Sequence, residues 1–126
     1  MAKHIMYNPN PSGSRVGDCT VRAISMALGQ DWETTYAGLS AYGYSLHDMP
    51  NANHVWGAYL EDKGFCQYLI DRHGKRRYTV ADFCEDNPTG TYILAIDGHV
   101  VCVSDGCYYD SWDSGEEIPI YYWRAN

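Results

Sequence analysis

Five cysteines and five histidines supply the thiols and imidazoles that could act as nucleophile and base in this chain. Cys19 lies in the stretch GDCTVRAISMAL (17–28), where it opens a run with helical spacing. A helix N-terminus offers unpaired amide donors and a partial positive charge, and both stabilise a thiolate. The same amides can hold the oxyanion of a tetrahedral intermediate. A thiol used this way needs an imidazole as its base and a third group to orient that imidazole.

The C-terminal half offers both. Asp105-Gly106 separates two alternating segments, HVVCV and CYYDSW, and Asp-Gly is the signature of a two-residue hairpin turn. That turn pairs Ser104 with Cys107, Val103 with Tyr108, Cys102 with Tyr109, Val101 with Asp110 and His99 with Trp112. Side chains alternate between faces, so His99, Val101, Val103, Tyr108, Asp110 and Trp112 share one. His99 and Asp110 are then diagonal neighbours within reach of each other. A carboxylate there can accept from one imidazole nitrogen and leave the other free. Asp113 falls on the opposite face if the strand continues, and so do Cys102 and Cys107. The thiol for His99 must come from outside its own hairpin, and Cys19 is the best placed by type.

The remaining candidates carry less. His47 and His54 flank Asp48 near a Pro turn, but no spacing completes four metal ligands. The separations of Cys66, Cys84, Cys102 and Cys107 match no common zinc motif, so no metal and no cofactor is expected. His4 and His73 read as surface residues.

These side chains must be held by a framework, and its pattern changes midway. Residues 1–17, rich in Asn, Pro, Gly and Ser, read as an extended lead-in or loop. Residues 19–28 have helical spacing, with Gly29 as a stop. A second helix is expected over Trp32 to Tyr42, capped by Asp31, and a third over Asn53 to Lys63. FCQYLI (65–70) and RRYTV (76–80) read as two strands around an HGK turn, and TVADFCEDNP as a Thr-capped helical run with a Pro stop. From Thr91 the signal is β: TYILAI, HVVCV, CYYDSW and IPIYYW. The expected class is α+β, with N-terminal helices packed on a C-terminal antiparallel meander.

The bulk numbers fit one domain over residues 1–126. The net charge of −7 argues against nucleic acid, which needs a positive field. The one basic cluster, RHGKRR (72–77), surrounds a turn signal and reads as solvated. There is no apolar leader and no run long enough to span a bilayer, so the expectation is an intracellular, cytoplasmic protein with reduced thiols and no membrane partner.

The order Cys, His, then Asn or Asp resembles the papain-like cysteine peptidases. GDCTVRAIS resembles the segment that leads from Gly through the cysteine into the central helix. GHVVCV resembles the histidine strand, and DSWDS (110–114) resembles the family's Asn-Ser-Trp-Gly. The whole also looks like small papain-like proteins of bacteriophages and gut bacteria. The resemblance implies a papain-like fold, with Cys19 as nucleophile, His99 as base and acid, Asp110 as orienting residue, and Trp112 shielding the His–Asp contact. It implies an amide or isopeptide hydrolase acting on a peptide or protein through a thioester. A transglutaminase-like acyltransferase and a catalytically silent protein docking on a host partner are the alternatives. The family's oxyanion glutamine has no counterpart, since no Gln precedes Cys19; Asn8, Asn10 and Arg15 are the possible donors there.

Overall fold

The computed structural model describes residues 2–125. Four helices pack against a six-stranded mixed sheet, an α+β arrangement. The strands are β1 (Lys3–Met6), β2 (Phe65–Leu69), β3 (Thr91–Ile96), β4 (His99–Ser104), β5 (Cys107–Asp110) and β6 (Pro119–Ala125), in spatial order β1-β5-β4-β3-β6-β2. The helices are α1 (Cys19–Leu28), α2 (Trp32–Leu46), α3 (Asn53–Asp62) and α4 (Val80–Asp86).

Period-two alternation along β3 and β4 divides the core between the two faces of the sheet. Ile93, Ala95, Val100 and Cys102 join Val21 and Ile24 of α1, Leu39 of α2, and Trp56 and Leu60 of α3. Leu94, Ile96, Val101 and Val103 join Tyr78, Phe83 and Cys84 around α4. These strands are buried on both faces, which accounts for their unbroken apolar sequence.

Local signals place α1 and its stop as expected: Gly29 adopts φ 64° and its N–H bonds back to Met26. Thr79 and Asp82 form a reciprocal capping box that starts α4. The β4–β5 register pairs Cys102 with Tyr109, Val103 with Tyr108 and Ser104 with Cys107. Asp105 at φ 49° and Gly106 at φ 77° form the turn that sets it. Gly106→Ala is expected to cost about 1–2 kcal/mol through the left-handed backbone alone, seen as a lower urea midpoint. The added Cβ would meet Pro88 only at 3.5 Å, an ordinary contact.

Three expectations are corrected. The lead-in contains a strand: β1 pairs in parallel with β5, Lys3 beside Cys107 through Met6 beside Asp110. RRYTV is not a strand; it leads into α4, and β2 pairs instead with β6, Phe65 opposite Ala125. The sheet is therefore mixed rather than an antiparallel meander, with β6 inserted between β3 and β2. Each missed pairing joins segments far apart in sequence, where no turn residue announces the partner. Helix α2 also runs on to Leu46, past Tyr42. Among the described residues, no helix is long and apolar enough to cross a membrane.

Candidate active site

His99 opens β4 and Asp110 closes the neighbouring antiparallel β5, so both stand at the same rim of the sheet. Helix α1 packs across β4 and presents its first residue, Cys19, to that rim. The His99 Nε2 donates to Asp110 Oδ2 at 2.6 Å. The Cys19 thiol lies beside the His99 ring and the Val100 backbone N–H, close enough for both to act on its ionisation. With Nε2 taken by the carboxylate, Nδ1 is the ring nitrogen left to serve the thiol. Trp112 lies over the imidazole, ring centroids 4.8 Å apart.

The electrostatics follow from these contacts. Burial alone would raise the Cys19 thiol, but hydrogen bonding to His99, its charge, the Val100 amide and the Arg22 charge together bring it below the usual thiol range. Burial alone would lower His99, yet Asp110 and Cys19 outweigh it and push the imidazole up to about 9. Both shifts run toward the thiolate–imidazolium form of the pair. Burial works against the Asp110 carboxylate, and the bonds from His99 and Ser114 hold it below its ordinary value nonetheless. The other deep thiols differ: burial pushes Cys84 up to about 12 and raises Cys102 as well.

Asp110 is 1% exposed and saturated with donors. Its Oδ2 also accepts from Ser114 Oγ at 2.7 Å, and its Oδ1 from the Ser111 N–H at 2.8 Å and Arg22 Nη2 at 3.2 Å. Arg22 Nη1 donates to Asp18, whose other oxygen accepts from Trp32 Nε1 at 2.9 Å. The Asp110 carbonyl accepts from the Tyr7 N–H at 2.9 Å and from His4 Nε2 at 3.0 Å. A buried relay thus runs from Trp32 through Asp18, Arg22 and Asp110 to His99 and Cys19.

The commitment of Asp18 has a second effect. Asp18 occupies the cap of α1, yet its side chain makes no capping bond, so the first amides of the helix have no side-chain acceptor. Cys19 and His99 open onto a cavity of about 300 Å³ whose wall includes Asn53, Trp56, Asp97 and Tyr121. Thr20 and Asn51 divide it from a more apolar groove lined by Val21, Trp32, Tyr36 and Met49.

Of the residues singled out from sequence, Cys19, His99, Asp110 and Trp112 converge. Asn8, Asn10 and Arg15 do not line the cavity. The Asn8 Nδ2 donates to the carbonyls of Gly13 and Ser14, and Asn10 Oδ1 accepts from Ser12 N–H and Oγ. Short polar side chains in a Pro/Gly-rich loop satisfy their own backbone first, and Arg15 is exposed. The β5 strand ends at Asp110, and Asp113 accepts from Tyr108 Oη at 2.5 Å rather than from His99. Of the other histidines, His54 pairs with Asp48 at 2.6 Å on the surface, away from this cavity. Sequence reasoning passed over Arg22, Asp18 and Ser114. A signal was there: Arg22 sits among Val21, Ala23 and Ile24, and its i,i+4 spacing from Asp18 fits one helical turn.

No family model, no curated protein and no solved structure matches this chain.

Proposed function

We propose that the chain is a cysteine-dependent acyl hydrolase of papain-like type, cleaving an amide or isopeptide bond through a thioester. The observation that carries this reading is the Cys19–His99–Asp110 relay, with the thiol at a helix start and the 2.6 Å bond from Nε2 to the carboxylate. The Cys19 thiolate adds to the carbonyl carbon. The imidazolium then gives its Nδ1 proton to the leaving nitrogen, and the C–N bond breaks to leave a thioester. His99 next takes a proton from water, and hydroxide addition expels the thiolate and frees the acid. An amine in place of that water turns the same steps into acyl transfer.

The test is the rate of iodoacetamide alkylation at each cysteine across pH 5–9, mapped by mass spectrometry, in the parent and in His99→Ala. An ordinary thiol of pKa about 8.5 is roughly 1% ionised at pH 6.5. Cys19 is expected to react on the order of 10- to 100-fold faster than such a thiol there, and His99→Ala to abolish the advantage. Above pH about 9 the imidazolium loses its proton. Hydrolysis should then fall for want of the acid while alkylation of the thiolate persists. If Cys19 reacts no faster than the other four, the catalytic reading fails and a docking role replaces it.

A further inference from the structure

We infer that Asn53 supplies the side-chain hydrogen-bond donor for the oxyanion that forms when Cys19 adds to a carbonyl; this rests on the acyl-transfer reading above. Addition to a carbonyl puts a full negative charge on its oxygen, and fixed donors aimed at that oxygen dominate such catalysis. The uncapped amides at the start of α1 provide backbone donors. A second donor has to come from the cavity wall, and no Lys or Arg lies on it.

Asn53 shares that wall with Cys19 and His99. Its Oδ1 accepts from Trp56 Nε1 at 3.1 Å. An indole nitrogen only donates, so the atom facing it must be the amide oxygen. The NH₂ group is then the free end of the side chain. Trp56 is fully buried and stacks on Tyr121, so the anchor is rigid. Ala52, not Asn53, occupies the cap of α3, which frees Asn53 from a capping duty. Cys19 and Asn53 are the first residues of α1 and α3, so two helix N-termini bring their positive ends to one cavity. Asn51 also lies on this wall but has no comparable anchor among the described residues.

Two reagents separate this role from a structural one. Acetylation of Cys19 by p-nitrophenyl acetate passes through an oxyanion. Alkylation by iodoacetamide displaces iodide at a saturated carbon and forms none. Asn53→Ala is expected to slow acetylation on the order of 10²-fold while alkylation stays within about twofold. Asn53→Asp, which keeps an oxygen for Trp56, should also lose acetylation and covers the case in which the alanine variant does not fold. Unchanged acetylation in both Asn53 variants, or equal slowing of both reagents, overturns the assignment and leaves the acyl-transfer reading standing. A parent whose Cys19 reacts with neither reagent removes both.

Discussion

Truncating Arg22 to alanine is expected to lower the free energy of unfolding by about 3–5 kcal/mol. The guanidinium lies between two carboxylates whose side chains are 5% and 1% exposed, those of Asp18 and Asp110. Removing it leaves both buried with less compensation, and desolvated charge without a partner is the costly case. The planar fork of arginine serves two acceptors at once, so Arg22→Lys should recover only part of the loss. Urea denaturation at constant slope reads this as a fall in midpoint. A fall below about 1 kcal/mol would mean that water or rearrangement satisfies the carboxylates, and the buried relay would lose its structural standing. Arg22 also helps hold the Cys19 thiol low, so the same variant should need a higher pH for half-maximal alkylation.

The second large effect concerns the dyad as a unit. Cys19→Ser and His99→Ala are each expected to reduce acyl transfer to p-nitrophenyl acetate on the order of 10³-fold or more, and the double variant by no more than the worse single. Once the thiolate is gone the imidazole has nothing to activate, and without the imidazole the thiol has no base or acid. Losses that multiply would show two independent contributions and contradict the relay. A cellular effect that survives all three variants would instead assign the chain to docking.

What could be read without coordinates shares one property. Helix α1, its Gly29 stop, the capping box at Thr79 and the turn at Asp105-Gly106 are each decided within a few residues by periodicity, capping or positive φ. The hairpin register followed from that turn and brought Asp110 beside His99 before any tertiary contact was considered. The docking of Cys19 on His99 was implied only by a resemblance. Strand alternation alone would send His99 to the face opposite Val100, away from α1. Its place at the rim lets the ring reach the thiol.

The rest depends on contacts between distant segments. Arg22 and Asp110 are 88 positions apart, and His4 and Asp110 are 106 apart. The parallel β1–β5 pairing and the β2–β6 pairing belong to the same class. By itself, then, the sequence determined the helix start that carries Cys19 and the hairpin that carries His99 and Asp110. Only the tertiary structure decided which charges stand behind Asp110 and which residues wall the cavity beside Cys19, because burial and cross-chain pairing, unlike turns and caps, arise only when remote segments exclude water from the same volume.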